Sequence, residues 1–159
     1  MAIEEAEFRR VLGHFATGIA VVAARDGAGP PRGLTANAIA SVSLDPPLVL
    51  VCVEHGADTH DVIDAAGAFA ISLLDEDGEA LARRFASYDP SEKFDGVAYT
   101  EEATGAPILN DALAWVDCRV WARYDGGDHT IFVGEVVGAD AEDGPPLVYF
   151  RGGYGRLAP

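Results

Sequence analysis

The chain has 159 residues, 49% of them apolar, with 18 glycines and a formal net charge of −15. That length suits one domain with a real core, and that composition suits a compact, turn-rich β protein rather than a disordered one. So strong an acidic excess argues against nucleic acid or anionic membrane as partner, and no apolar run approaches the roughly 20 residues of a membrane span. The opening Met-Ala-Ile-Glu-Glu-Ala-Glu lacks the basic and apolar regions of a signal peptide, so a cytoplasmic protein is expected. Cys52 and Cys118 sit in strand-like apolar patterns without a CxxC spacing, which predicts reduced thiols with no metal or redox work.

In chain order, Phe8, Val11, Leu12 and Phe15 recur at i, i+3, i+4 and i+7, which predicts an amphipathic helix over 3–15. Thr17-Gly18 punctuates it, a short buried strand follows over 19–24, and Asp26-Gly-Ala-Gly-Pro-Pro31 reads as a hairpin connection. The stretch Gly33–Pro47 organises the rest. At period two, one face carries Thr35, Asn37, Ile39, Ser41 and Ser43; the other carries Leu34, Ala36, Ala38, Ala40, Val42 and Leu44. Extended, residues 34–44 would reach roughly 33–37 Å, too long for one strand, so a bend or bulge is expected near 38–41. Small side chains at a bend let a flat, polar-edged ring approach the backbone. Taken alone, the pattern reads first as an edge strand with exposed hydroxyls.

Residues 48–53 predict another buried strand, 59–66 a short helix with Asp58 as its cap, 69–74 a strand and 77–86 a helix. Residues 87–111 read as a long loop. Ala114, Val116, Cys118, Val120 and Ala122 then alternate with Trp115, Asp117, Arg119, Trp121 and Arg123, a clear strand. Asp125-Gly-Gly-Asp128 turns the chain into a strand over 130–139, and a last strand follows over 147–151. About seven strands, mostly hairpin-connected, and two or three helices predict a mainly β domain over 1–159, an antiparallel barrel with peripheral helices.

Six segments in order resemble one family. They are Gly33–Val51, Asp58-Thr59, Phe69-Ala-Ile-Ser-Leu-Leu74, Ser91-Glu-Lys-Phe-Asp-Gly96, Gly127-Asp-His-Thr-Ile-Phe-Val-Gly-Glu135 and Pro146-Leu-Val-Tyr-Phe-Arg-Gly-Gly-Tyr154. Together they are similar to the short-chain flavin reductases, the reductase components of two-component monooxygenases such as those of 4-hydroxyphenylacetate hydroxylation. The resemblance implies an FMN-binding split barrel of Greek-key type. It also implies homodimers with flavin near the interface, and NAD(P)H reducing FMN or FAD for a separate monooxygenase. NADH is favoured over NADPH, because no extra basic cluster marks a 2′-phosphate site.

By resemblance, isoalloxazine and ribityl are expected on Thr35, Ala36, Asn37, Ser41, Val42, Ser43, Cys52 and Val53. Thr59, Lys93 and Phe94 are expected near the phosphate or its chain. Thr17, Gly18, Tyr154 and the catalytic His129 are expected on the nicotinamide side. On the residues alone, Arg83, Arg84 and Lys93 form the densest basic cluster of an acidic chain, which could neutralise a phosphate but reads first as a solvated helix face. On the same basis, His129 after a Gly-Gly turn reads first as a turn residue, and Tyr154 reads equally as an exposed aromatic and as a stacking group. The chain departs from the family's Cys-Ile-Asn-Lys/Arg-Ser-Ser-x-Thr at Cys52-Val-Glu-His-Gly-Ala-Asp-Thr59, losing two hydroxyls and a firm positive charge.

No P-loop, G-x-S-x-G elbow, H-E-x-x-H or Rossmann fingerprint is present. The His55, Asp58, His60, Asp61 group fits no standard metal spacing. Hydride transfer between two bound rings needs no protein nucleophile, in keeping with this inventory. A flavin carrier or sensor, and a pyridoxamine phosphate oxidase-like enzyme, are the alternatives from other classes.

Overall fold

In the computed structural model, which describes residues 2–158, the central stretch breaks at Asn37–Ala38. The elements are α1 (Glu5–Leu12), β1 (Thr17–Gly18), β2 (Ala20–Ala24), β3 (Arg32–Ala36), β4 (Ile39–Leu44), β5 (Pro47–Glu54), α2 (Asp58–Ala66) and β6 (Ala68–Leu74). They continue with α3 (Glu79–Ser87), β7 (Tyr99–Glu101), β8 (Pro107–Leu109), β9 (Ala112–Gly126), β10 (His129–Ala141), β11 (Leu147–Phe150) and β12 (Gly153–Arg156). Seven strands pair in the order β3-β2-β6-β9-β10-β5-β4, every pair antiparallel.

The two edge strands, β3 and β4, are consecutive in sequence. Only Asn37 and Ala38 join them, and three residue steps reach no more than about 11 Å. The sheet therefore has to curl until its edges nearly meet, giving a mostly β barrel split along one seam. The expected bend is thus the seam itself, and the expected bulge lies just beyond it, where the β4–β5 register shifts between Ser41 and Ser43. A three-stranded sheet, β1-β11-β12, packs outside the barrel.

All five residues of β2 are buried. Val22 and Ala24 face the barrel interior with Val51, Val53, Ile63, Phe69, Ile71 and Phe132. Val21 faces the other way, onto Leu74, Ala82, Phe85, Leu109 and Leu147. A strand covered on both faces reads as a continuous apolar run, which Ala-Val-Val-Ala-Ala is.

Three elements depart from the sequence expectations. The segment read as a long loop over 87–111 contains the β7–β8 hairpin, too short for periodicity to reveal. Asp117, expected to face outward beside Trp115, is fully buried. The chain before β8 covers that face, and the carboxylate accepts hydrogen bonds from the Thr104 backbone N–H at 3.0 Å and from the Thr104 hydroxyl. Asp58 is not the cap of α2 but lies in its first turn, where its charge suits the helix dipole; the capping position is Ala57, whose side chain can cap nothing.

Candidate functional site

At the seam, the strands leave a cleft of about 360 Å³. One wall is made of strand: Ala36, Asn37 and Ala38 at the break, Cys52 and Glu54 on β5, and His129 at the start of β10. The ladder fixes these positions, pairing His129 with Glu54, and the Cys52 N–H donates to the Ala38 carbonyl at 3.1 Å, extending the β4–β5 pairing to the break. Alanines at 36 and 38 keep this wall flat. The opposite wall comes from α3 and the segment after it, through Phe85, Ala86 and Lys93.

Lys93 joins the two walls. Its Nζ donates to the Gly33 carbonyl on β3 at 3.0 Å. Burial lowers its pKa from the ordinary 10.5, the Asp58 carboxylate opposing that shift and the Arg32 guanidinium adding to it. Gly33 is required where it stands, because a Cβ there would lie 2.9 Å from Phe85 Cε1 and 3.3 Å from Phe94 Cε2. Phe94 stacks edge-on against Phe85, ring centroids 4.9 Å apart, and so backs the cleft without lining it.

The basic cluster divides. The Arg84 guanidinium donates to the carbonyls of Lys93, Glu92 and Asp95 at 2.7, 2.9 and 2.6 Å and lies over the Tyr88 ring. These bonds, through Nε and Nη2, shape the segment that carries Lys93. Arg83 pairs with Glu79 and lies over Tyr154. Lys93 alone of the three enters the cleft. Arg32, which sequence reasoning passed over, is close enough to act on the charge of Lys93; it precedes Gly33, whose carbonyl the Lys93 ammonium meets.

His129 is half-buried, and its Nδ1 lies 2.6 Å from Asp128 Oδ1. The hydrogen bond with His129, and next its charge, hold the Asp128 carboxyl below the usual carboxylate range. Burial pushes the Cys52 thiol up, so the side chain at the cleft stays protonated at neutral pH. Both cysteines are free, as expected.

Of the residues expected at the site, Thr35, Ala36, Asn37, Cys52, Lys93 and His129 line this one cleft. Thr35 is also tied to α3, its hydroxyl donating to the Ala82 carbonyl. The others lie elsewhere. Val53 alternates with Cys52 and points into the barrel core. Ser41, Val42 and Ser43 run along the edge strand β4. Thr59 is buried in the first turn of α2.

Thr17, Gly18 and Tyr154 belong to the outer sheet, with Thr17 paired to Tyr149 and the Tyr149 and Tyr154 rings 5.4 Å apart. Sequence reasoning missed Phe85 and Ala86 as lining residues, and no periodic signal marks them as such.

Two other concavities fit a phosphorylated cofactor poorly. A furrow of about 620 Å³ is ringed by Asp75, Glu76, Asp77, Asp111, Glu142 and Asp143, which would repel phosphate. A groove of about 430 Å³ between Ile39, Val49, Leu73 and Trp115 is almost wholly apolar. Among the described residues, no group of three or more His, Cys, Asp or Glu side chains is placed to hold a metal ion.

Residues 12–158 match the profile of the flavin reductase like domain. The chain belongs to the flavin reductase-like family. It is 45% identical over 158 residues to the reductase component of the 4-nitrophenol 4-monooxygenase/4-nitrocatechol 2-monooxygenase of Rhodococcus opacus, covering 99% of this chain and 83% of that protein. It is 46% identical over 151 residues to the reductase component of the 4-hydroxyphenylacetate 3-monooxygenase of Thermus thermophilus, covering 94% and 95% respectively. A solved family member, the NADH:FAD oxidoreductase of Streptomyces globisporus in complex with NAD and FAD fragments, superposes with a TM-score of 0.92 at 41% identity, over 98% of this chain and 94% of that one. Family membership and the mainly β split barrel agree with the resemblance read from the six sequence segments.

Proposed function

We propose that the chain is an NADH-dependent flavin reductase that reduces FMN or FAD and supplies reduced flavin to a separate monooxygenase. The observation carrying this reading is the cleft in which Lys93 and His129 share a wall system floored by Ala36, Asn37 and Ala38. The residues fit a flavin on three counts. Two alanines at a break in the backbone admit a flat ring close to main-chain N–H and C=O groups. Lys93, with Arg32 near, gives a phosphate its cationic partner in a chain of net charge −15. Cys52, Glu54 and His129 share the lining, but among the described residues no side-chain hydrogen bond links His129 to the thiol or to Glu54, so no nucleophile is activated and the chemistry rests with the bound rings, which supply hydride donor and acceptor.

In this reading Thr35, Ala36, Asn37 and Cys52 border the flavin ring and ribityl, while Ser41, Val42, Ser43 and the main chain at Val53 extend that surface along β4 and β5. Lys93 holds phosphate, Phe94 supports the segment that carries it, and the N-terminal turn of α2 at Thr59 adds backbone donors. His129 meets the nicotinamide. Thr17, Gly18 and Tyr154 are left out of this assignment: they lie in the outer sheet, and Tyr154 packs under Arg83 of α3, the helix that meets β3 through the Ala82 carbonyl.

We also assign the working unit as a cytoplasmic homodimer. The exposed apolar side chains Phe8, Val11, Leu12 and Phe15 on and after α1, with Leu44 at 96% and Trp121 at 54% exposure, support a covered surface in the functional assembly.

The test is NADH consumption by purified protein with FMN or FAD added. Flavin-dependent NADH oxidation is expected, reduced at least tenfold in kcat/KM in His129→Ala. Flavin binding without NADH turnover would overturn the reductase reading in favour of a carrier or an oxidase.

A further inference from the structure

Asp128 has no part in the assignments above, yet its surroundings fix it unusually well for an exposed residue. β9 and β10 are joined by two residues, Gly127 and Asp128, with Gly126 and His129 as the last ladder pair. Gly127 has φ +77°, the positive value that a two-residue hairpin turn of type II′ demands at its first central position. The turn is also held from the side: the His55 N–H, just beyond β5, donates to the Asp128 carbonyl at 3.0 Å. Main chain and side chain are therefore both engaged, and Oδ1 meets His129 Nδ1 at 2.6 Å.

An ionised carboxylate can only accept hydrogen bonds, so Nδ1 has to carry the proton. In the neutral imidazole, Nε2 then keeps its lone pair, and among the described residues Nε2 has no hydrogen-bond partner. The ring itself lines the cleft.

We propose that Asp128 is a positioning residue: it fixes the proton of His129 on Nδ1 and so presents Nε2 to the cleft as an acceptor for a hydrogen-bond donor on the ligand, of the carboxamide N–H class. This rests on the reading of the cleft as a nicotinamide and flavin site. The other charged or titratable groups near the ring are Glu54 across the ladder, Lys93 in the same cleft and His55 beside Asp128; none of them meets Nδ1. The Asp128–His129 pair is exposed enough that its loss leaves the fold intact.

Asp128→Asn keeps the turn and the size of the side chain, but its amide can either accept from or donate to Nδ1, so the tautomer is no longer dictated. Two readouts decide. The first is the ¹⁵N NMR signature of the His129 ring near neutral pH, which needs no activity. The wild type is expected to carry the proton on Nδ1, and Asp128→Asn to show a tautomer mixture, with Asp128→Glu restoring the wild-type signature. The second is steady-state kinetics with NADH and with the reduced dinucleotide whose carboxamide is replaced by acetyl, which has no N–H. The wild type is expected to prefer NADH in KM. Asp128→Asn should raise KM for NADH about fivefold, the size of one hydrogen bond, leave kcat within twofold and erase the preference.

A wild-type proton on Nε2, or a preference for NADH that survives Asp128→Asn, overturns the proposal. If the protein fails to oxidise NADH at all, the cleft reading falls, and with it the assigned ligand, while the NMR result still decides whether Asp128 sets the tautomer.

Discussion

The two walls of the cleft are built by different physics. The strand wall, from Ala36 to Ala38 with Cys52, Glu54 and His129, is positioned by main-chain ladder bonds that any side chain would permit. The other wall, carrying Lys93, follows α3 in a segment with no regular structure of its own until β7, and the three bonds from Arg84 to the carbonyls of residues 92, 93 and 95 shape it. A ladder distributes its hold over many weak bonds. The clamp concentrates it in one guanidinium.

The largest expected effect breaks that clamp. Arg84→Ala removes three charge-assisted hydrogen bonds and leaves three carbonyls to find water, a loss of roughly 2 kcal/mol in unfolding stability. Flavin affinity should fall with it, since Lys93 loses its placement. Asn37→Ala, in the strand wall with its side chain exposed, is expected to change stability by less than about 0.5 kcal/mol. Chemical denaturation of the two variants checks the contrast. Equal losses would mean that the walls are held alike.

This contrast also explains what the sequence could and could not disclose. The strand wall was legible because period-two patterning and the break in Gly33–Pro47 are local features, and the ladder turns local pattern into position. The basic cluster at Arg83, Arg84 and Lys93 was legible only as a cluster. Whether a guanidinium meets a ligand or a carbonyl depends on where residues 92–95 fold back, which no spacing encodes. Asp117 was misread for the same reason: alternation places it outward, and only the preceding chain segment at Thr104 covers it. The outer sheet shows the limit of resemblance. Thr17 and Tyr154 flank the same residue, Tyr149 of β11, in the outer sheet, while His129 lies in the seam cleft, and neither Thr17 nor Tyr154 is among that cleft's lining residues.

A smaller effect sharpens the role of Lys93 by pH. A phosphate binds its ammonium form, which is present below the folded pKa and disappears as pH rises through it. Because burial sets that pKa under 10.5, the affinity gap between FMN and riboflavin, which lacks the phosphate, should narrow at a lower pH than an ordinary lysine would dictate. In Lys93→Arg the gap should persist through the same range, since a guanidinium stays charged. Fluorescence titration of both flavins across pH measures it. For the empty cleft the sign reverses: between the folded pKa and 10.5 the unfolded chain binds the extra proton, so stability rises with pH there. A gap independent of pH in the wild type would remove Lys93 from the phosphate.

The smallest expected effect compares one thiol in the strand wall with one in the barrel core. Burial raises the pKa of Cys118 to about 12, the Asp117 charge adding to it, and the side chain is fully enclosed. Cys52 is raised too, by burial alone, but it is half-buried and borders the cleft. Since the thiolate is the reactive form, both should alkylate slowly at neutral pH, with Cys52 labelled first and Cys118 protected until the protein unfolds. Added flavin should slow Cys52 further and leave Cys118 unchanged. Mass spectrometry of iodoacetamide-treated protein reads both sites in one sample. Flavin protection at Cys52 would locate the ligand against the strand wall independently of any turnover, while equal labelling with and without flavin would move it off that wall.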